Sequence, residues 1–199
     1  KLYRVLTPFA FEVQLSRISY ETEQAHFSRY GFLIEDDDEM ASRVGGTIMK
    51  NENSDIQQIR KEAYQTMVLF QYMVGNTDWN LSQRHNIKFI TLSDESLPIP
   101  VPYDFDYCGL VNAPYAVPYP SLPINNVRDR LWQYRGRPTD DLSSTVNLFF
   151  EKKSEIFRII DEFHWLSAEH RDEVAFYLHS FFDLVEQEDG ITKIMAKGD

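Results

Sequence analysis

Gly75-Asn76-Thr77-Asp78, then His85-Asn86-Ile87-Lys88-Phe89-Ile90, then Val101-Pro102-Tyr103-Asp104-Phe105-Asp106 are the stretches on which the reading of this chain turns. They read as a loop Asp, an Asn leading into a short apolar strand, and a second strand ending in Asp. Carboxylate, amide and carboxylate in that order are the side chains that a Mg²⁺-nucleotide site uses. One faces an attacking hydroxyl and two hold the metal against phosphate oxygens. Taken alone, Asn76-Thr77-Asp78 after a helix is an ordinary polar turn whose side chains bond backbone. The sequel shifts the balance: a polar excursion follows, and Asn86 opens an apolar hairpin whose second strand delivers Asp104.

Upstream of this stretch, Ile59, Ala63, Met67 and Phe70 recur at helical spacing, with Ile56 and Tyr64 beside them. They predict an amphipathic helix from Asp55, capped by Ser54 or Asp55 and ended by Gly75, where the chain can turn sharply. Ile87–Leu92 and Ile99–Tyr103 predict short strands joined through Ser93-Asp94-Glu95-Ser96. Earlier still, residues 1–6 read as a helix stopped by Thr7-Pro8. Phe11, Val13 and Leu15 alternate with polar residues as in a half-buried strand, and a shift of face at Ile18 and Tyr20 suggests a bulge. Tyr30–Ile34 reads as a second strand. The carboxylates Glu35–Glu39 read as the acidic start of a short helix through Val44, and Gly45-Gly46 and Asn51–Ser54 as loops. Residues 107–140, rich in Pro, Tyr and Asn, read as a long irregular segment of the kind that is functional or mobile. Two amphipathic helices close the chain: Leu142 to Phe163, and Val174 to Val185 with Ser167 as a cap. A β-rich start followed by a helical body is an α+β pattern.

Composition narrows the function classes. The chain has 199 residues, 43% hydrophobic, with 14 Phe, 11 Tyr and 3 Trp, enough apolar side chain for a packed core. A net charge of −11 repels nucleic acid and anionic membrane surfaces, so nucleic acid is not an expected partner. An acidic protein still binds ATP where a metal and local cations offset the phosphates. Cys108 is the single cysteine, which excludes an intrachain disulfide and a cysteine-based zinc site. No apolar run is long enough to span a membrane. The compartment is left open by the sequence.

The three stretches resemble the catalytic region of atypical members of the protein-kinase superfold, in the HipA-type, spore-coat-kinase and phosphatidylinositol-kinase branches. Those families show a Gly-Asn-x-Asp or Gly-x-x-Asp loop, an Asn before a strand, and a Tyr-Asp, Trp-Asp or Asp-Phe metal motif. The likeness covers residues 55–110. It implies a kinase-like fold fragment: a remnant of the N-lobe and the hinge over 1–40, and a mainly helical C-lobe over 41–199 with a short β-hairpin at the site. Asp78 would be the catalytic Asp, Asn86 and Asp104 the Mg²⁺ ligands, and Asp106 either a second ligand or a structural Asp. Eight residues separate Asp78 from Asn86, against five in the resembled families. Either three extra residues bulge out, or Asn80 does the work of Asn86. Arg84 and His85 take ordinary loop roles on this reading.

The resemblance also implies a hinge at Phe32-Leu33-Ile34-Glu35, with backbone near Leu33, Ile34, Glu35 and Asp37 meeting the purine of ATP. It implies a substrate segment after the metal motif. Arg128, Arg130 and Arg135, with Arg137, are candidates there for an acidic or phosphorylated protein substrate, or else pair with surface carboxylates. No Gly-rich loop or strand Lys precedes Tyr30, so the phosphate-binding lysine is expected upstream of Lys1. Three functions remain open: Mg-ATP-dependent phosphate transfer to a hydroxyl, probed first; a pseudokinase or interaction module without turnover; and a metal-dependent phosphohydrolase built on Asp78, Asp104 and Asp106. The last requires further His or Asp ligands nearby.

Overall fold

Helix α3 (Lys61–Val74) is the axis of the molecule, and eleven of its fourteen residues, Tyr64 to Val74, are buried. A helix covered on every side is packed by several partners rather than along one stripe. Its polar Gln65 is satisfied internally. Gln65 donates to the Asp141 carbonyl at 3.1 Å and accepts from Thr145 at 3.4 Å. The computed structural model describes residues 1–50, 59–92, 97–136 and 140–195. The expected caps Ser54 and Asp55, Ile56, the turn at 93–96 and Arg137 lie outside those residues.

The described elements run α1 (Leu2–Leu6), β1 (Val13–Glu21), β2 (His26–Ile34), α2 (Asp37–Arg43), β3 (Gly46–Ile48), α3, β4 (Ile87–Leu92), β5 (Ile99–Pro102), α4 (Ser143–Asp161), α5 (Ala168–Val185) and α6 (Gly190–Met195). This is an α+β protein with two small antiparallel sheets, β1-β2 and β3-β4-β5. Around α3 pack residues of α1, α4, α5 and α6, together with Ile87 and Phe89 of β4 and Trp132. Because side chains alternate across a strand, Ile90 of β4 faces the other way. It joins Ile99, Val101, Phe11, Met40 and Ala41 in a second core beneath α2. The three-stranded sheet is thus covered on both faces, and the hairpin β4-β5 is fixed against α3. No helix among the described residues is long and apolar enough to cross a membrane.

Several expectations are corrected. Helix α3 starts at Lys61, not at Asp55, because the Arg60 N–H is drawn to the Pro98 carbonyl at 2.8 Å, holding the chain beside β5 instead of in a helical turn. Strand β1 has no bulge: it pairs with β2 in one unbroken register from Val13↔Ile34 to Glu21↔His26. Its mixed sequence pattern reflects a ribbon largely open to water on both faces, where alternation is weakly enforced. Strand β2 begins at His26 rather than Tyr30 for the same reason. Gly46 opens strand β3, paired with Leu92, where two glycines had suggested only a loop. A sixth helix, α6, closes the chain and buries Ile194 in the main core. The expected cap holds at α5, where Ser167 accepts from the His170 N–H.

Residues 107–136 are irregular but anchored. The Gly109 and Leu110 N–H groups donate to the Gly75 and Val74 carbonyls at 3.0 and 2.9 Å. Arg130 reaches inward to the Met73 carbonyl, Ser180 Oγ and the Tyr177 carbonyl.

Candidate functional site

Gly75 ends α3 in the left-handed region, at φ 66° and ψ 38°, where a residue without a Cβ is unstrained. A Cβ here would run into the Tyr177 hydroxyl. The turn hands the chain to Asn76, which is almost wholly buried. Asn76 donates to Gln71 Oε1 at 3.0 Å, its Oδ1 accepts from the Asp78 N–H at 3.1 Å, and its carbonyl accepts from Trp79 Nε1 at 3.2 Å. Asn76 therefore sets the backbone from which Asp78 projects.

The Asp78 carboxylate is shared between two side chains. His85 Nε2 lies 2.9 Å from Oδ1, and Asn86 Nδ2 donates to Oδ2 at 3.0 Å and to the Asp78 carbonyl at 2.8 Å. The excursion between them folds out as a closed loop: Asn80 and His85 exchange both backbone hydrogen bonds, at 3.0 and 2.9 Å. The Asn80 side chain accepts from the Gln83 N–H inside that loop at 2.9 Å. Asn86, not Asn80, is the amide at Asp78, and the extra residues bulge away. Asn86 itself is buried and left-handed, at φ 56°, a conformation that Asn tolerates better than most residues.

Strand β5 stops at Pro102, and Asp104 is left-handed at φ 58°. Asp104 and Asp106 are therefore not neighbours on one face of a strand, as the alternation predicted. A turn brings them together instead, close enough for their carboxyl groups to share a hydrogen bond. Partial burial, then Asp106, then the more distant Asp78 charge push the Asp104 carboxyl above the usual range. Asp104 thus feels both Asp106, two residues on, and Asp78, from a separate part of the chain.

Mg²⁺ is the metal that the resemblance implies. Among the described residues no group of three or more His, Cys, Asp or Glu side chains is gathered to hold an ion. The donors at the acidic turn are the two carboxylates of Asp104 and Asp106. An oxygen-rich set with one or two carboxylates suits Mg²⁺, which takes its remaining ligands from water and substrate phosphate. A cation between Asp104 and Asp106 would also relieve the repulsion that now favours a proton there. The chemistry of these two carboxylates is compatible with Mg²⁺.

Beside the acids opens a mainly apolar cleft of about 540 Å³, lined by Phe11, Phe32, Ile34, Tyr103, Asp104 and Asp106 among others. It joins the end of the β1-β2 hairpin to the acidic turn. The Glu35 N–H is spent on the Glu12 carbonyl at 2.9 Å. In an antiparallel pair such bonded positions alternate with unbonded ones, so the main-chain groups of Ile34, opposite Val13, point away from β1. Ile34 thus keeps outward-facing backbone beside the cleft. The Glu35 carboxylate takes both ends of Arg43 at 2.8 Å and the Glu12 N–H at 2.9 Å. Leu33 is exposed on the hairpin, and the Asp37 carboxylate is bound to Lys88 Nζ at 2.8 Å.

The arginines expected at a substrate segment separate. Arg130 is consumed by the internal contacts given above and by stacking 3.9 Å over the Tyr177 ring. Arg128 lies over the same ring at 4.7 Å. Arg135 alone of the three is exposed. Three contributors lie outside the sequence expectation. His85 reads as a loop residue in sequence, although its place next to Asn86 is a usable signal. Asn76 lies within the quoted motif. Tyr115, which donates to Asp106 Oδ2 at 3.1 Å, carries no sequence mark.

Comparison with known protein families, with curated proteins and with solved structures finds no match to this chain.

Proposed function

We propose that the chain is the hinge and C-terminal lobe of an atypical kinase-like phosphotransferase, which moves the terminal phosphoryl group of Mg-ATP to a hydroxyl, with a protein as acceptor. The observation that carries this reading is that Asp104 and Asp106 line one end of an apolar cleft whose other end is the β2 edge at Ile34, with the Asn86-bound Asp78 carboxylate close enough for its charge to reach Asp104. In this reading Asp78 orients the acceptor hydroxyl and receives its proton. His85 and Asn86 hold the two Asp78 oxygens in place. Asp104 and Asp106, with the Asn86 amide nearby, hold the divalent cation. When bound, that cation neutralises charge on the transferring phosphoryl group. Phe11, Phe32 and Tyr103 exclude water around a purine, and Ile34 offers its backbone to the purine edge.

The test uses the full-length protein. Mg-ATP raises its melting temperature, and transfer of γ-phosphate falls about 10³-fold in Asp78→Asn and in Asp104→Asn, with unchanged circular dichroism. Transfer by both variants at the parental rate would overturn the assignment. The reading as a binding module without turnover is favoured if Mg-ATP still shifts the melting curve while no variant, and not the parent, forms ADP.

A further inference from the structure

Tyr115 lies outside both cores and is 59% exposed, with its ring centroid 5.8 Å from that of Tyr107. Core packing does not pin such a side chain, yet its hydroxyl donates to Asp106 Oδ2 at 3.1 Å. The chain between the two residues is shaped for this return. Cys108 is buried, and the Gly109 and Leu110 N–H groups are bonded to the end of α3, so the start of the loop is fixed. The Val111 and Asn112 N–H groups then donate to the Cys108 carbonyl at 3.1 and 3.0 Å, and Asn112 is left-handed at φ 50°. A further turn runs from the Ala116 N–H to the Ala113 carbonyl at 2.9 Å. An anchored loop thus delivers Tyr115 to a carboxylate nine residues earlier in the chain.

The chemistry of the carboxylate says what the contact does. Asp104 and Asp106 line the same end of the cleft, and carboxylates placed together repel until a proton or cation joins them. A phenol donating to Asp106 offsets part of that charge. It also fixes the rotation of the carboxylate while occupying one oxygen only. A hydrogen bond this exposed adds little to folding, because water replaces a lost partner. Its effect falls on the direction in which Asp106 points, and outer partners of metal-binding carboxylates set affinity in this way. We infer that Tyr115 is a positioning residue for the divalent cation, holding Asp106 in the orientation in which it and Asp104 take the ion together. The inference rests on the metal-dependent reading given above and names the residue that pre-arranges its ligand.

The test reads cation binding without turnover. Mn²⁺, which takes the same oxygen ligands as Mg²⁺, is titrated alone into the full-length protein, and the free ion is followed by electron paramagnetic resonance. Tyr115→Phe keeps the ring beside Tyr107 and removes only the hydroxyl. It is expected to bind Mn²⁺ about 10–100-fold more weakly, with a metal-free melting temperature within about 1 °C of the parent's. Asp106→Asn also weakens binding, and adding Tyr115→Phe to it causes no further loss. Parental affinity in Tyr115→Phe overturns the inference, as does a loss that simply adds to that of Asp106→Asn. Tighter binding overturns it as well, since the hydroxyl then competes with the ion. In each of these cases the metal-dependent reading stands as long as Asp104→Asn and Asp106→Asn bind less Mn²⁺ than the parent. A parent that takes up no Mn²⁺ overturns both.

Discussion

Gly75 shows how a single position governs the site. Its left-handed conformation and the Tyr177 hydroxyl pressed against it leave no room for a Cβ. Gly75→Ala is expected to cost about 2 kcal/mol or more, measured by urea unfolding, and to disturb the loop that carries Asp78. Asp104 shows the opposite relation between charge and stability. Its carboxyl is raised above the usual range by partial burial and by its acidic neighbours, so the folded state prefers it protonated. The stability that goes with the proton is full at low pH and is lost as pH rises through the raised pKa. Asp104→Asn removes the charge that is costly at neutral pH. We expect its melting temperature to exceed the parent's by about 1–2 °C at pH 7, a small effect because solvent screens the group, and the gap to close near pH 3. A variant that is more stable but inactive would mark Asp104 as a residue kept for chemistry rather than folding.

At the scale of elements, the hairpin β1-β2 and the helix α2 are joined by charge rather than by a large apolar contact. Glu35, at the end of β2, holds Arg43 of α2 with two 2.8 Å bonds, and Arg43 also donates to the Ala10 carbonyl at 2.7 Å. The Arg43 guanidinium is the chief reason that the Glu35 carboxyl lies below its usual range. A depressed carboxyl stabilises the fold above its unfolded pKa, and that contribution disappears as pH falls through the folded value. Glu35→Gln should therefore lose about 1.5 kcal/mol at pH 7 and match the parent in acid, which chemical denaturation at several pH values would read. Equal losses at every pH would show that the bond geometry, not the charge, matters.

Over the whole molecule, protection from water is uneven. Helix α3 is enclosed by α1, α4, α5 and α6, whereas β2 leaves Tyr30, Phe32, Leu33 and Ile34 exposed and touches the helical body through a Tyr30–Trp165 ring contact at 5.1 Å. Hydrogen exchange should find the α3 amides slowest and the β1-β2 amides far faster, since the hairpin can open without unfolding the core. Mg-ATP should slow exchange at residues 32–34 and 103–106 together. Slowing confined to one of the two segments would separate the cleft from the acidic turn and count against a shared ligand.

Much of this organisation could be read along the chain. Gly75, the spacing of Met67 and Phe70, the apolar hairpin at Ile87–Leu92 and Ile99–Pro102, and Ser167 all act through near neighbours, and local chemistry suffices to place them. Asp78, Asp104 and Asp106 lie in the segments that follow α3 and β5, and Asn86 directly precedes β4, so their places near element ends were legible in the same way. What only the tertiary structure decided involves partners far apart in sequence. Pro98 sets the start of α3 at Arg60, Met73 and Tyr177 absorb Arg130, and Arg43 claims Glu35. Tyr115 turns back onto Asp106. Such contacts leave no periodicity behind. They depend on which surfaces meet once the core has closed, and that is settled by packing rather than by the order of residues.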